Sequence, residues 1–229
     1  MKEINLKITV DGISIKSVNK EGVTEYKRCE KEELLRLIET SLSREEEIYN
    51  NTGILHKNII EISTAINPGN GSVTRDYFLY VSKGPLPFNY FNKIYIFEEF
   101  PALLFRFKVD NSNKIQSASV FVIKEERDSF NNDTLLYKYP FGNVWADGRI
   151  CWGGNNLPLI NESRDLLKAV DLFFQFPTGD DLYSGKNVRF NGPQSKLLKK
   201  LTSNKININD ILIEYGSFLS YKEMQRTSY

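Results

Sequence analysis

The sequence predicts an α+β protein in which a four-stranded antiparallel meander is flanked by helices and preceded by an added N-terminal β-hairpin. Short apolar or alternating runs follow one another through polar connections between residues 77 and 124. Segments with helical spacing of apolar residues lie on either side of these runs. A chain of 229 residues with 41% hydrophobic residues can form one large domain, or one domain with terminal additions.

The N-terminal segment, residues 4–18, alternates polar and apolar residues on both sides of Asp11-Gly12. This dipeptide favours the positive φ angles that a two-residue hairpin turn requires. We therefore expect a β-hairpin here, with a third strand over residues 23–26.

An amphipathic helix is expected over residues 30–42, because four apolar side chains recur on one face at helical spacing. These are Leu34, Leu35, Ile38 and Leu42. Residues 43–76, which contain the lone His56, are mostly polar and rich in turn residues.

Four strands are expected over residues 77–81, 93–97, 102–109 and 117–124. A helix over 164–176, capped by Asn161 or Ser163, a helix over 193–201 and a short helix capped by Asn209 should follow. We divide the chain into an N-terminal hairpin extension (1–29), a core (30–180) and a C-terminal helical extension (181–229).

Several functional classes are disfavoured by composition. A net charge of +1 provides no bulk attraction to nucleic acid or to a membrane. No apolar run would span a bilayer and the first residues do not resemble a signal peptide, so we expect a cytoplasmic protein. The chain has one histidine and two distant cysteines, so we do not expect a metal site. It lacks a phosphate-binding or dinucleotide motif, so we do not expect a cofactor.

The most distinctive stretch is residues 139–154, YPFGNVWADGRICWGG, which holds Cys151 and both tryptophans. A thiol can carry an acyl group if it is accessible and if a donor stabilises the oxyanion of the tetrahedral intermediate. The turn at Asp147-Gly148 would fold the chain back and bring the Asn143 amide toward the sulfur. Gly153-Gly154 would leave room for the backbone of a substrate.

Asn143-Val144 followed by Gly148-Arg149-Ile150-Cys151 resembles the active-site segment of the ubiquitin-conjugating (E2, UBC-like) superfamily. The fuller stretch YPFGNVWADGRICWG is similar to prokaryotic E2 family D, the B proteins of the PRTRC (ParB-related, ThiF-related) cassettes. The resemblance implies an E2-like fold in which Cys151 carries a thioester and Asn143 is the oxyanion donor. We expect four residues to support this site: Tyr139, Gly148, Trp152 and Gly153.

The resemblance also implies three partners: a ThiF-type E1-like activating enzyme, a ubiquitin-like protein and a JAB-type peptidase encoded in the same operon. The final acceptor would be an amine or a thiol. Phe141-Gly142 stands where eukaryotic E2 enzymes have His-Pro, which leaves open a non-catalytic E2 variant acting as a binding module. A cysteine hydrolase would instead require His56 within hydrogen-bond reach of Cys151.

Overall fold

A computed structural model describes residues 4–9, 12–18, 24–29, 56–67, 71–216 and 220–226. The chain forms two compact units, residues 1–53 and residues 54–229. The sequence-based boundaries after residues 29 and 180 stay predictions.

In the first unit, strands β1 (Ile4–Thr9), β2 (Gly12–Val18) and β3 (Thr24–Cys29) form an antiparallel sheet in chain order. Thr9 pairs with Gly12, so Gly12 begins β2 although we expected it in the turn. The helix expected over residues 30–42 lies outside the described residues.

The second unit is built on a five-stranded antiparallel sheet. Its four long strands are β4 (Ile59–Ile66), β5 (Val73–Val81), β8 (Ala102–Asp110) and β9 (Ile115–Ile123), which neighbour one another in this order. The two-residue strand β10 (Tyr137–Lys138) pairs with the far edge of β9. The α+β class is therefore confirmed, with a four-stranded antiparallel meander in which β5, β8 and β9 match expected strands and β4 was not expected.

The strand expected over residues 93–97 is not part of this meander. It lies in β7 (Lys93–Phe100), which pairs with β6 (Gly84–Tyr90) in a separate two-stranded sheet, and β8 pairs directly with β5. Phe91 and Asn92 both have positive φ, 45° and 62°, which makes a tight two-residue turn between β6 and β7. The sequence-based expectation also omitted β4, whose second half, residues 63–66, is exposed at the sheet edge.

Helices cover both faces of the main sheet. The described helices are α1 (Asp165–Gln175), α2 (Gln194–Thr202), α3 (Ile208–Ile211) and α4 (Tyr221–Arg226). On one face, the Phe173 ring of α1 meets the Phe105 ring edge-on, with centroids 5.6 Å apart. On the other face, the Tyr221 ring of α4 meets the Phe78 ring at 5.4 Å. Each face therefore has its own apolar core.

Two predicted helix caps are wrong by a few residues. The N-cap of α1 is Arg164, whose side chain makes no capping hydrogen bond. A carboxylate oxygen of Asp165, the first residue of the helix, accepts hydrogen bonds from the N–H groups of Asn161 and Glu162 in the preceding turn, both at 3.1 Å. At the start of α3, the side chain of Asn207 accepts from the N–H of Asn209 at 2.9 Å. Only the Asn207 side chain caps its helix, and which polar side chain binds a nearby N–H group depends on the local backbone geometry.

Candidate functional site

Residues 143–151 form a small hairpin that brings Asn143 and Cys151 side by side. The Cys151 N–H donates to the Asn143 carbonyl at 2.8 Å, and the Trp145 N–H donates to the Arg149 carbonyl at 2.8 Å. The turn closes with a 2.9 Å bond from the Gly148 N–H to the Trp145 carbonyl. The chain therefore folds back at the predicted turn.

The hairpin is held on the edge of β9. The Gly148 carbonyl accepts from the Val120 N–H at 2.9 Å, and the Ile150 N–H donates to the Ala118 carbonyl at 2.8 Å. Gly148 has φ +83°, and a Cβ placed there would lie 2.6 Å from the Phe121 ring. Glycine is thus required at this position by both its conformation and its close packing.

Tyr139 and Phe141 anchor the start of the segment in the core. Phe141 is fully buried, and its ring stacks on Phe97 with centroids 5.4 Å apart and an interplanar angle of 12°. Tyr139 is buried beside Phe100 and Phe173. Burial raises the pKa of the Tyr139 phenol far above its usual range, so the group stays neutral and packs as part of the core.

Gly142 occupies a position with no space for a side chain. A Cβ there would lie 2.4 Å from the Gly179 carbonyl oxygen and 2.9 Å from the Thr178 methyl carbon. The Gly142 N–H donates to Oε1 of the buried Gln194 at 2.8 Å. A proline at this position would lack that N–H and would clash, so the packing explains the departure from the His-Pro pattern.

The Asn143 amide faces residues 177–178. Its Nδ2 donates to the Pro177 carbonyl at 3.1 Å and lies 3.4 Å from Thr178 Oγ1. Asn143 also has φ +63°, a left-handed conformation that asparagine tolerates better than most residues. The oxyanion role of Asn143 stays a prediction.

Cys151 is a free cysteine, and the residue is half-buried. The next residue, Trp152, packs edge-on against Phe173 and Phe176, each with ring centroids 6.2 Å away. Gly153, with φ +57°, and Gly154 then form a turn, closed by a 3.2 Å bond from the Asn155 N–H to the Trp152 carbonyl. A Cβ on Gly154 would meet nothing within 4 Å, so the space beside this turn is open.

The segment 177–180 belongs to the site surroundings and was not predicted there. The Thr178 N–H donates to the Asn89 carbonyl at 2.8 Å, which joins this segment to the end of β6. Both carboxylate oxygens of Asp180 lie 3.1 Å from the Tyr90 hydroxyl, which donates to them. In the sequence, Pro177-Thr178-Gly179 indicated only the end of a helix, and nothing linked it to Asn143.

His56 forms its hydrogen bonds with residues outside segment 139–154. Its N–H donates to Ser163 Oγ at 3.0 Å, and its Nδ1 accepts from the Asn58 N–H at 3.2 Å. Within the described residues, no hydrogen bond joins His56 to Cys151, so the geometry required for a cysteine hydrolase is not found.

In the same described part of the chain, no three His, Cys, Asp or Glu side chains come together as metal ligands. None of the helices described is both long enough and apolar enough to cross a bilayer.

The comparison with protein families matches residues 76–208 to prokaryotic E2 family D. The matched region runs from β5 to the start of α3 and includes the whole segment 139–154. Comparisons with curated proteins and with solved structures give no match. Because the matched region covers more than half of the chain, the protein belongs to prokaryotic E2 family D.

Proposed function

We propose that this protein is an E2-like carrier that accepts a ubiquitin-like protein as a thioester on Cys151. The observation that carries the proposal is a free, half-buried cysteine on a hydrogen-bonded hairpin, beside Asn143 and an open glycine turn, in an E2-family chain. The donor is a ThiF-type E1-like enzyme, and a JAB-type peptidase from the same operon is a further partner. The proposed location is the cytoplasm.

The chemistry requires two exchanges at one sulfur. The Cys151 thiolate attacks the carbonyl carbon of the thioester on the activating enzyme, a new C–S bond forms, and the donor sulfur leaves with its electron pair. An amine or thiol acceptor then attacks the same carbonyl carbon, and the Cys151 sulfur leaves as thiolate. The proton of the acceptor passes to solvent or to a base.

Both exchanges pass through a tetrahedral oxyanion, which the Asn143 amide would stabilise. Its nitrogen holds the Pro177 carbonyl through the shorter contact of 3.1 Å, and the contact to Thr178 is longer, at 3.4 Å. Because both hydrogens of the planar amide move together, the side chain would rotate away from Pro177 and Thr178 to donate to the oxyanion. Such a donor typically contributes about 10²–10³-fold to the rate.

A thioester-loading experiment tests this function. The protein is mixed with the activating enzyme and the ubiquitin-like protein of the same operon and with ATP, and the products are separated without reductant. We expect an adduct that thiols remove. Cys151→Ser should yield an adduct that resists thiols, since an oxyester replaces the thioester, and Cys29→Ser is the matched control that should load normally.

A non-catalytic binding module is the second candidate. It is favoured by Phe141-Gly142, which stands in place of His-Pro, and by the engagement of the Asn143 amide with Pro177. Calorimetric titration with the same two partners separates the candidates. Binding without any adduct, unaffected by Cys151→Ser, would refute the carrier and support the binding module.

A further inference from the structure

The side chain of Gln194 joins two segments of the candidate site from inside the core. Gln194 is the first residue of α2 and is fully buried. Its Oε1 accepts from the Gly142 N–H at 2.8 Å, and its Nε2 lies 3.5 Å from the Gly179 carbonyl oxygen, to which it donates. One side chain therefore contacts both the residue before Asn143 and the segment that the Asn143 amide faces.

The Asn143 amide makes a second connection between the same two segments. Its Nδ2 donates to the Pro177 carbonyl at 3.1 Å. To donate to an oxyanion formed at Cys151, the amide has to leave Pro177, so this connection is broken during the proposed reaction. The connection through Gln194 is not broken in this way, because its polar atoms bind only backbone groups of Gly142 and Gly179.

The Gly142 N–H is the group through which Gln194 acts on Asn143. Gly142 is buried, and a buried N–H requires an acceptor, which Gln194 provides. The next residue, Asn143, has φ +63°, a left-handed conformation that persists in a non-glycine residue only where its surroundings hold it. The bond to Gly142 fixes the backbone directly before Asn143, so it limits the directions in which the Asn143 side chain can project.

We propose that Gln194 is a positioning residue for the Asn143 amide. It holds Gly142 and Gly179 in place while the amide turns from Pro177 to the oxyanion and back. The expected effect on acyl transfer rests on the proposed function of Cys151. The placement of the amide by Gln194 does not, so it can be measured in the unloaded protein.

The first test follows the side-chain amide resonances of Asn143 by heteronuclear NMR in the full-length, unloaded protein. Gln194→Met keeps the length of the side chain and removes both polar atoms. We expect the Asn143 resonances to shift and broaden, because the amide then samples other directions. Gln116→Met is the matched control: it removes a glutamine that binds Asp110 at an exposed position of β9, and it should leave the Asn143 resonances unchanged.

The second test compares transfer from loaded Cys151 in single-turnover assays. Gln194→Met should slow transfer about 10- to 100-fold, the scale expected when a reacting group is misplaced. In the Asn143→Gly background the same change should slow transfer no further, because the amide that Gln194 positions is absent. A residue that only stabilises the fold would slow transfer by the same factor in both backgrounds.

Gln194→Glu provides the test if Gln194→Met fails to fold. As a neutral acid the new side chain can make both contacts of Gln194, whereas as a carboxylate it only accepts and is repelled by the Gly179 carbonyl oxygen. The Asn143 resonances should match the parent at low pH. They should depart from the parent as pH rises through the pKa of the introduced carboxyl, which burial raises.

The proposal is overturned if the Asn143 resonances stay unchanged in Gln194→Met, or if Gln194→Met slows transfer equally in both backgrounds. It is also overturned if Gln194→Met does not fold and the resonances of Gln194→Glu follow the parent at every pH. A parent protein that does not load, with shifted Asn143 resonances in Gln194→Met, would refute the carrier function and still support the placement of the amide by Gln194.

Discussion

Gly142 and Asn143 occupy backbone positions that few other residue types accept. Gly142 has no space for a Cβ beside residues 178–179, and Asn143 adopts a left-handed conformation with its amide on the Pro177 carbonyl. The carbonyl of Asn143 in turn binds the N–H of Cys151. The position of Cys151 thus depends on the packing and backbone conformation of these two neighbours.

Gly142→Ala should destabilise the protein by about 1–3 kcal/mol, because the added methyl group meets backbone 2.4 Å away at Gly179. Urea denaturation followed by tryptophan fluorescence measures the change. Gly154→Ala is the matched control, since its Cβ meets nothing within 4 Å, and it should stay within about 0.5 kcal/mol of the parent. Equal stability of the two variants would contradict the packing argument.

Asn143→Gly removes the side-chain amide while keeping a residue that tolerates φ +63°. If the amide stabilises the oxyanion, transfer from the loaded Cys151 should slow about 100-fold in single-turnover assays. Asn155→Gly removes the amide bound to the Trp152 carbonyl and should leave the rate unchanged. A normal rate in Asn143→Gly, with stability reduced by about 1 kcal/mol, would assign the amide to holding Pro177 only.

At the scale of elements, the β6–β7 hairpin and α1 enclose the start of the site segment. Phe88 and Phe97 of the hairpin contact the ring of Phe141, and Phe173 of α1 contacts Tyr139. The orientation of α1 depends in part on its first residue, Asp165, whose carboxylate binds two preceding N–H groups. The Lys168 ammonium lies 2.8 Å from the same carboxylate.

These contacts give Asp165 a pH-dependent effect on stability. The hydrogen bond from Lys168, followed by those from backbone N–H groups, holds the pKa of Asp165 below its usual value. A lowered pKa in the folded state means that the stabilisation is complete above the unfolded pKa of roughly 3.9 and is lost as pH falls through the folded value.

Asp165→Asn should therefore lower the free energy of unfolding by about 1 kcal/mol at neutral pH. The difference from the parent should shrink as pH falls below roughly 4. Urea denaturation at a series of pH values measures both quantities. Asp171→Asn, on the exposed side of α1, should differ from the parent by less than about 0.5 kcal/mol. A difference for Asp165→Asn that grows on acidification would contradict a lowered pKa of Asp165 in the folded state.

At the scale of the second unit, the main sheet is covered on both faces, and one ion pair links three of its elements. Arg106 of β8 contacts Asp76 of β5 at 3.0 Å, and its guanidinium also lies 3.4 Å from the Met224 carbonyl on α4. The Arg106 and Asp76 side chains are only 10% and 17% exposed, so solvent screens the pair weakly.

Asp76→Asn would leave the Arg106 guanidinium largely buried without its carboxylate. We expect the free energy of unfolding to fall by about 2–4 kcal/mol in chemical denaturation, since breaking one side of a buried pair costs more than the pair contributes. Glu162→Gln breaks an exposed pair with Arg164, whose side chains are 54% and 70% exposed, and should cost at most about 1 kcal/mol. Similar losses in both variants would contradict a buried role for Arg106.

Much of the second unit was predictable because its signals are local. Alternation and apolar runs located β5, β8 and β9, and helical spacing located α1 and α2. The hairpin around Cys151 also followed from local chemistry, because Asp147-Gly148 favours the turn that returns the chain. The helix caps were misplaced by a few residues, since several neighbouring side chains compete for the same N–H groups.

The sequence by itself determined the α+β class, the family and the proximity of Asn143 to Cys151, all of which depend on residues close together in the chain. Only the tertiary structure decided the neighbours of the site: segment 177–180, Gln194 and the β6–β7 hairpin. These contacts join residues that are distant in sequence. The alternation of polar and apolar residues in a strand does not indicate which sheet the strand joins. The contact of the Asn143 amide with Pro177 was also decided by the tertiary structure, because it depends on where the chain returns after α1.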